Sequence, residues 1–443
     1  MSQPPSSAGP ARSRLPLRTR LALVAERAAS GTSRRLGRGS GEMIGGKIAL
    51  KVDPEVLASV ASGRPAACVS GTNGKTTTTR LLAAALGVNG PVASNSGGAN
   101  MTAGVIHALA RPPLTSPAAL EVDEIWLPQV ARAVRPRAIA LLNISRDQLD
   151  RSNETRRIAA LWRTLGAELG TGPDGCTAVA NCDDPLVVYA AEGFARQVWV
   201  SAGQNWTADA MVCPVDAALL TRDGLAWSCG SCGFARPTPE IVVTGIDSLD
   251  WRGRPLKVAL TLPGRVNVGN AAIAAATAET FGLDVDRALG AMASLDAVQG
   301  RYSIAPIAPG RRARLLLAKN PAGWVEMLEL LDSGPRRPVI VDFNSRTADG
   351  RDPSWLWDVP FERLAGRQVL VCGERREDVG VRLAYADVPH VLHDSVESAA
   401  RSADLLEGDD LIDVVANYTA FRDLLRRVEP AGATAPSRAE PVR

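Results

Sequence analysis

The stretch that decides the fold is Ser70-Gly71-Thr72-Asn73-Gly74-Lys75-Thr76-Thr77. It follows a short apolar run, residues 66–69, and precedes an alanine- and leucine-rich segment that ends at Gly87. A strand that leads into a glycine-rich loop and a helix that leaves it form the surroundings of a phosphate-binding loop. Glycines let backbone N–H groups approach phosphate oxygens, and the start of the helix adds a favourable partial positive charge. The sequence therefore predicts an ATP site, in a short form of the loop that has Val69 where the longer form has glycine.

The residues of this loop have separate expected roles. Lys75 is expected to reach the β- and γ-phosphates of ATP, and the hydroxyl of Thr76 is expected to hold Mg²⁺. Lysine is rare in the rest of the chain, so a lysine inside a motif stands out. We predict that the nucleotide is bound by Gly71, Thr72, Asn73, Gly74, Lys75, Thr76 and Thr77.

The pattern around the loop predicts two α/β domains. Residues 46–299 alternate short β-rich runs with helical segments, which indicates a central domain with a parallel sheet and covering helices. Residues 205–240 interrupt this alternation with a cluster of Cys, Gly, Pro and Trp. The alternation resumes in residues 300–430, which predicts a smaller C-terminal α/β domain, and residues 431–443 are expected to form a disordered tail.

The first 45 residues are basic. They contain eight arginines and only two acidic residues, which predicts a flexible N-terminal extension. A short basic amphipathic helix is expected within it, because apolar residues recur at helical spacing at Leu17, Leu21, Val24 and Ala28. Such an extension favours peripheral contact with an anionic membrane. The alternatives are a solubilising tail and a segment that packs against the body of the protein.

Composition excludes several classes of protein. The chain of 443 residues has no run of about 18 apolar residues, which excludes a transmembrane helix. No secretion signal is evident, so we expect a cytoplasmic protein with reduced thiols, placed at most against the inner face of the plasma membrane. A net charge of +3 gives no argument for a nucleic-acid partner. With three histidines, the chain has few ways to build its own Ser-His or Cys-His nucleophile.

The phosphate loop resembles that of Mur ligases and folylpolyglutamate synthases, and further motifs follow in the order of that family. Glu121, in the segment LEVDE, is similar to the family's second magnesium ligand. The segment NCDDP at 181–185 resembles the family's NADDP turn, and GRVNVGN at 264–270 resembles the G-x-x-N-x-x-N motif that packs on adenine. Gly-Arg at 300–301 and KNP at 319–321 resemble the start of the family's third domain. The resemblance implies further nucleotide contacts from Glu121, Asn267, Asn270 and Arg301, and Mg²⁺ bound by Thr76 and Glu121.

Three positions depart from the family pattern. Gln148, in LLNISRDQLDR, stands where the family usually has a metal-binding histidine. Peptide-adding Mur ligases usually carry a carbamylated lysine after this segment, whereas this chain has no lysine between Lys75 and Lys257. The family's D-x-A-H-N-P is replaced by LAKNP, which lacks the acidic residue. The missing lysine and the lost acidic residue predict something other than an ordinary amino-acid ligase.

The interrupting stretch contains a candidate zinc site. Cys229 and Cys232 form a C-x-x-C knuckle, and upstream Cys213 is followed by Asp216 where a fourth cysteine belongs. Zinc accepts carboxylate oxygen as well as thiolate, so Cys213, Asp216, Cys229 and Cys232 predict a zinc ribbon with one carboxylate ligand. The alternative is a loop without metal that folds by its own packing.

A loop in the C-terminal domain narrows the resemblance. Residues 344–358, NSRTADGRDPSWLWD, resemble the signature of the MurT family within the Mur ligases, and the resemblance extends over about residues 30–425. Members of that family dock a glutaminase partner, GatD, which supplies Cys and His of a triad that an aspartate of this loop completes. Asp349 and Asp352 are both candidates for the catalytic aspartate. Turn capping is the alternative role, since Asp349-Gly350 is a good turn pair by itself.

The resemblance implies the synthetase subunit of a lipid II isoglutaminyl synthase. ATP would phosphorylate the α-carboxyl of D-glutamate in the stem peptide of lipid II, and ammonia from the partner would then give D-isoglutamine. One alternative is a stand-alone ligase that adds an amino acid to a folate or muramyl acceptor; the missing lysine and the WLWD loop disfavour it. The other is a zinc-ribbon nucleic-acid-binding ATPase, which the small net charge disfavours.

Overall fold

The computed structural model describes residues 15–36, 41–95, 97–111, 113–146, 155–170, 175–204, 206–295 and 302–428. The helices of the described residues are α1 Leu17–Arg35, α2 Glu42–Val52, α3 Val56–Ala61, α4 Lys75–Leu86, α5 Thr102–Leu109, α6 Leu127–Val134, α7 Thr155–Glu168, α8 Pro185–Ala191, α9 Arg265–Glu279, α10 Val285–Ala293, α11 Pro321–Asp332, α12 Arg376–Tyr385, α13 Val396–Ser402 and α14 Tyr418–Val428. The strands are β1 Ala66–Ser70, β2 Ala93–Ser94, β3 Ala118–Glu121, β4 Ala138–Leu141, β5 Thr177–Asn181, β6 Arg196–Ser201, β7 Leu220–Asp223, β8 Ala226–Cys229, β9 Ile241–Val243, β10 Ser248–Trp251, β11 Arg254–Lys257, β12 Tyr302–Ala308, β13 Arg311–Leu317, β14 Val339–Asp342, β15 Val369–Cys372, β16 His390–Leu392 and β17 Leu411–Ala416.

A nine-stranded sheet forms the central domain, in the order β11-β10-β9-β6-β5-β4-β1-β3-β2. Seven of these strands are parallel, namely β9, β6, β5, β4, β1, β3 and β2, and helices cover both faces of the sheet. Ala67 and Val69 of β1 pack with α4 and α9 on one face, whereas Ala66 and Cys68 pack on the other. Because β1, β3 and β4 are buried on both faces, they read in sequence as continuous apolar runs. The expected α/β central domain is confirmed.

Two strands at one edge of this sheet, β10 and β11, run antiparallel to their neighbours. Neither strand was predicted from the sequence. Each has four residues, and neither is buried on both faces, so neither has the continuous apolar run that marks the central strands.

The C-terminal domain is built on a six-stranded sheet in the order β12-β13-β17-β14-β15-β16. Only β12 is antiparallel to its neighbour, and apolar side chains fill both faces of the sheet. The expected smaller α/β domain is therefore confirmed. Strand order changes direction at β14, because the chain continues to β15 on one side and returns to β17 on the other.

The N-terminal helices pack on the central domain. Helix α1 buries six residues along one side, Thr19, Ala22, Leu23, Glu26, Ser30 and Ser33. Thr19 donates to Asp53 at 2.6 Å, and Glu26 lies 2.5 Å from Nδ1 of His107 on α5. Residues 17–35 therefore differ from the flexible extension that composition predicts, because small and polar side chains anchor this helix. The expected tail, 431–443, lies outside the described residues.

Candidate functional site

The phosphate loop lies at the carboxyl end of β1, in the conformation that its glycines allow. Gly71 and Gly74 have φ angles of 147° and 83°, which residues with a side chain rarely adopt. A Cβ atom on Gly74 would lie 2.7 Å from Oδ1 of Asn270. Gly74, the residue that precedes the first turn of α4, has no side chain that could cap it. The backbone N–H groups at the start of this helix are therefore arranged for an anion.

Lys75 is held by a carboxylate that the sequence analysis did not single out. Its Nζ donates to the carbonyl of Gly71 at 2.5 Å and to Oε2 of Glu124 at 2.8 Å. Both side chains of this ion pair are buried. The sequence indicated acidic residues near this site only through the three acids of LEVDE. The contact itself depends on the fold, because Glu124 lies 49 positions from Lys75 in the sequence.

The acidic segment after β3 supplies ligand atoms beside the loop. Glu121 is buried, and its Oε1 accepts from Asn100 at 3.2 Å. Its Oε2 is buried and has no hydrogen bond within the described residues. Burial and the neighbouring Glu124 raise the pKa of Asp123. Carboxylate oxygens of this kind are the ligands that Mg²⁺ prefers, so Glu121 fits the expected magnesium role.

A reciprocal amide pair joins the phosphate loop to the C-terminal domain. The side chains of Asn73 and Asn320 each donate to the other at 3.2 Å. Asn320 is fully buried and also caps α11 by accepting from the N–H of Gly323. The sequence analysis matched Asn320 to a family motif without assigning it a contact, because its partner lies 247 positions away.

A cavity of about 600 Å³ opens between the two domains next to the loop. Asn73, Gly74 and Thr77 of the loop contribute to its wall, together with Asn267 and Asn270 of α9. The opposite wall comes from α11 and the end of β13. Its size is that of a small-molecule or cofactor site, and its mixture of apolar side chains and amides suits a nucleotide base. The motif predicted to contact adenine therefore lines this cavity.

Within this cavity, Glu326 of α11 is poorly solvated. Burial, together with the nearby Glu329, raises the pKa of Glu326 to about 8. Between pH 4.5 and about pH 8, Glu326 is therefore protonated in the folded protein. In the unfolded chain the same group is ionised over this range, because its pKa there has the ordinary value of 4.5. Folding stability should fall as pH rises between these two values, since the native state binds more protons than the unfolded state.

We expect Glu326→Gln to remove this pH dependence. At pH 5 the variant and the parent should have similar melting temperatures, whereas at pH 9 the variant should melt several degrees higher because no poorly solvated carboxylate has to ionise. Thermal unfolding at both pH values measures the difference. Glu377→Gln, at an exposed position on α12, is the matched control. The prediction would be contradicted if the melting temperatures of variant and parent differed by the same amount at pH 5 and at pH 9.

The two candidate aspartates of the 344–358 loop differ in their surroundings. Asp349 is buried, and its carboxylate accepts from the N–H of Thr419 at 2.8 Å, from the Thr419 hydroxyl and from the N–H of Arg346 at 3.1 Å. Asp352 is exposed and accepts from the N–H of Ser354 at 2.9 Å, which lowers its pKa. The capping alternative is therefore present at both positions.

The aromatic residues of this loop divide between core and surface. Trp355 is buried and packs edge-on against Phe343, with ring centroids 5.3 Å apart. Trp357 is 52% exposed and packs against Tyr385, which is 75% exposed. Exposed Trp and Tyr side chains in contact form a surface of the kind found at the centre of protein interfaces.

The four predicted zinc ligands converge. Their ligand atoms, from Cys213, Asp216, Cys229 and Cys232, all lie within 4.8 Å of one another. The sulfurs of Cys213 and Cys232 are 3.6 Å apart, close to the roughly 3.8 Å that two thiolates span in a tetrahedral site with Zn–S bonds of about 2.3 Å. The residues present therefore fit a tetrahedral zinc ion.

The stretch of residues 205–240, called the insertion from here on, contacts the central domain through the NCDDP turn. Trp227 of β8 donates to the carbonyl of Cys182 at 3.1 Å, and Arg236 donates to Asp183 at 2.8 Å. Asp184 caps α8, and burial raises its pKa to about 6. The turn thus has a structural role in the described residues. Gln148 and Arg301 lie outside the described residues.

A parallel sheet with a phosphate loop at its carboxyl edge, facing a second α/β domain across a nucleotide-sized cavity, is the arrangement of the Mur ligase class. The fold is similar to that of a pseudomurein peptide ligase type C from Methanothermus fervidus, with a TM-score of 0.66, 18% identity and coverage of 85% of this chain and 81% of that one. Residues 69–278 match the Mur ligase middle domain.

Three further matches identify the family within that class. Residues 317–421 match the MurT ligase C-terminal family. The chain is 30% identical to the MurT subunit of lipid II isoglutaminyl synthase (glutamine-hydrolyzing) from Streptococcus pneumoniae, over 92% of this chain and 97% of that protein. It is 28% identical to the corresponding Staphylococcus aureus subunit, over 89% of this chain and 94% of that protein. The chain belongs to the MurT family of Mur ligases, which confirms the expected resemblance.

Proposed function

We propose that this chain is the ATP-dependent synthetase subunit of a lipid II isoglutaminyl synthase and acts in peptidoglycan synthesis. The observation that carries the proposal is the position of the phosphate loop. On one side of the loop, Asn73 faces a nucleotide-sized cavity closed by a MurT-type domain. On the other side, Lys75 contacts the buried carboxylate of Glu124. The activity named for the two relatives supports the same conclusion.

The proposed reaction has two steps. An oxygen of the α-carboxylate of D-glutamate, in the stem peptide of lipid II, attacks the γ-phosphorus of ATP and releases ADP. The nitrogen of ammonia then attacks the carbonyl carbon of the acyl phosphate. Phosphate leaves with the electron pair of the broken C–O bond, the nitrogen loses a proton, and D-isoglutamine remains.

Catalysis of the first step is mainly a matter of placing positive charge near the phosphates. Lys75 and the backbone N–H groups at the start of α4 would bind the β- and γ-phosphates, and Lys75 would exchange its contact with Glu124 for a phosphate oxygen. Thr76 and Glu121 would hold Mg²⁺, which supplies positive charge to the phosphate oxygens when bound. Arg301 stays a proposed nucleotide contact.

The test is amidation of lipid II by the chain mixed with a small glutaminase, ATP and glutamine, followed by mass spectrometry of the stem peptide. The proposal predicts that a carboxyl group becomes a carboxamide only when both proteins are present, or when ammonium replaces glutamine. A stand-alone ligase would instead add a whole amino acid without the partner. A nucleic-acid-binding ATPase would show salt-dependent nucleic-acid binding and no change in lipid II.

The partner we propose is a GatD-type glutaminase that docks on the C-terminal domain. Trp357 and Tyr385 offer it an exposed aromatic surface, and Asp352 is exposed in the loop that leads to Trp357. The partner would supply the Cys and His of a triad, and Asp349 or Asp352 would orient the histidine. Ammonia released there would then be used at the nucleotide site.

Zinc is proposed as a structural ion of the insertion. Cys213, Asp216, Cys229 and Cys232 would hold it, because their ligand atoms already converge. Between Cys213 and Cys232, the regular structure in the described residues consists of the β7–β8 hairpin and isolated bridges. A bound zinc ion would connect the two ends of this segment and stabilise its fold.

We expect the protein purified without chelator to contain about one zinc per chain, and Cys232→Ser to lose most of it. Elemental analysis measures this directly. Cys176→Ser, at a buried thiol outside the cluster, is the control and should retain the metal. Less than a tenth of an equivalent in the parent protein would mean that the insertion folds without metal.

We propose a cytoplasmic enzyme that makes peripheral contact with the inner face of the plasma membrane through α1. None of the helices in the described ranges has the length and apolar character needed to cross a bilayer. Opposite the buried side of α1, Leu17, Leu21 and Val24 are 70%, 56% and 63% exposed. Arginines border this stripe, and the only acid of the helix, Glu26, is buried. An apolar stripe bordered by basic side chains is typical of helices that lie on anionic membranes.

We expect replacement of Leu17, Leu21 and Val24 by glutamine to weaken binding to anionic vesicles about tenfold or more, since each loses apolar surface that the bilayer would bury. Co-sedimentation at low and physiological salt measures this. Leu219→Gln, at an exposed position in the insertion, is the matched control. Equal binding by the triple variant and the parent would contradict the membrane contact.

A further inference from the structure

A second polar cavity, of about 270 Å³, lies at the carboxyl edge of the C-terminal sheet. Its wall includes Asp342 at the end of β14, Cys372 at the end of β15, and Asp423 and Arg427 of α14. The strand order of this sheet changes direction at β14. Crevices at such positions are where open α/β sheets bind ligands.

Asp342 is a buried carboxylate without a partner. The residue is 7% exposed and lines the cavity, and its carboxylate makes no hydrogen bond or ion pair with any residue in the described ranges. Gly373, with a φ of 96°, leaves the carboxylate uncovered, since a Cβ there would lie 2.8 Å from Oδ1. Burial raises the pKa of Asp342 to about 6, so the group is still ionised at neutral pH. A buried charge without a partner is unfavourable for folding, and a ligand would compensate it.

The other charges of the cavity already have partners. Arg346 contacts Glu374 and Asp423 at 2.7 and 2.6 Å. Arg376 lies 3.2 Å from Asp394, and Arg427 lies 3.4 Å from Glu397, a carboxylate just outside the lining. The charge left over is therefore that of Asp342, and the site favours a cation. Within the described residues, the acids here do not converge on a common point as the cysteine cluster does, which disfavours a divalent metal.

The position of the cavity links the two parts of the proposed enzyme. Asn344 and Arg346 in its wall begin the loop that carries Asp349 and Asp352. On the other side, Leu317 and Asp342 both pair with Ala416 of β17. Two strand spacings, about 10 Å, therefore separate Asp342 from Leu317, which lines the nucleotide cavity.

We propose that the Asp342 cavity binds ammonium ion on its way from the glutaminase to the nucleotide site. This inference rests on the proposed function, because ammonia is a reactant only in that reaction. Ammonium is small enough to share 270 Å³ with water, and its N–H groups would donate to the Asp342 carboxylate.

The first test is binding to the isolated chain and does not depend on any activity. Ammonium chloride should raise the melting temperature of the parent protein more than sodium or potassium chloride at equal ionic strength, by mass action on the folded state. Asp342→Asn should abolish this difference. Asp387→Asn, at an exposed position whose φ of 54° asparagine tolerates, should keep it. Equal stabilisation by all three salts, or an ammonium effect that survives in Asp342→Asn, would overturn the proposal.

The second test uses the complex with the glutaminase. Asp342→Asn should raise the KM for ammonium about tenfold, as expected for loss of a hydrogen bond to a charged group, and should leave the KM for ATP unchanged. With glutamine as donor, it should form less amide per glutamine hydrolysed. If the amide formed per glutamine hydrolysed and the KM for ammonium are both unchanged, the proposal is overturned. Loss of glutaminase docking would also overturn it, because a basic side chain of the partner would then occupy the cavity. If the parent complex does not amidate lipid II at all, the proposed function fails, whereas the salt test still reports on the cavity.

Discussion

Replacement of Lys75 by methionine should reduce ATP-dependent amidation by a factor on the order of 10² to 10³ or more, with the fold intact. Methionine keeps the length of the buried side chain but cannot donate to a phosphate oxygen or offset its charge. The effect should appear in kcat with both glutamine and ammonium, because the phosphoryl step precedes either nitrogen donor. Steady-state kinetics and thermal unfolding measure the two parts of the prediction.

The structure also supplies the controls for this experiment. Lys75→Met leaves Glu124 buried without its partner, so some stability should be lost. The double variant Lys75→Met, Glu124→Gln removes that charge and should regain stability without regaining activity. Lys51→Ala, at an exposed position on α2, should behave like the parent. More than a tenth of parental turnover in a folded Lys75→Met would contradict the phosphate-loop assignment.

Asp349→Asn and Asp352→Asn should separate the use of glutamine from the use of ammonium. An aspartate that completes a partner's triad acts on the histidine, not on the phosphate, so its loss should reduce glutamine-dependent amidation by on the order of 10⁴. The same variant should keep the ammonium-driven reaction. Assays of both variants with each nitrogen donor identify which aspartate has this role.

The two variants should also differ in stability. Asp349→Asn places an N–H₂ group among the donors of Thr419 and Arg346, which should cost about 1 kcal/mol, whereas exposed Asp352→Asn should cost less. Asp387→Asn is the matched control for both. If the two loop variants reduce both reactions equally, the loop serves the synthetase site or folding, and the split active site would be wrong.

The sequence predicted what depends on local pattern and missed what depends on distant contacts. The phosphate loop was recognisable because binding phosphate requires glycines at positions such as 71 and 74 and a lysine at a position such as 75, all within one short segment. Glu124 and Asn320 could not be assigned roles, since their partners lie 49 and 247 positions away.

The N-terminal segment shows the same limit in the fold. Its arginines indicated a solvated extension, yet the inner side of α1 packs through Thr19, Glu26 and Ser30, residues that hydropathy alone places at the surface. In contrast, the two sheets were predictable, because strands buried on both faces leave continuous apolar runs. The four proposed zinc ligands were predicted from their spacing in the sequence, whereas the convergence of Asp216 with three sulfurs needed coordinates.

The pairing of Asn73 with Asn320 connects the C-terminal domain directly to the phosphate loop. Each amide is donor and acceptor to the other, so a rotation of either side chain breaks both hydrogen bonds together. A movement of the phosphate loop would therefore act directly on the first turn of α11, which belongs to the same domain as residues 344–358. In the proposed enzyme, this single carboxamide pair would couple nucleotide binding at the phosphate loop to the domain on which the glutaminase docks, and so would set the order of the two half-reactions.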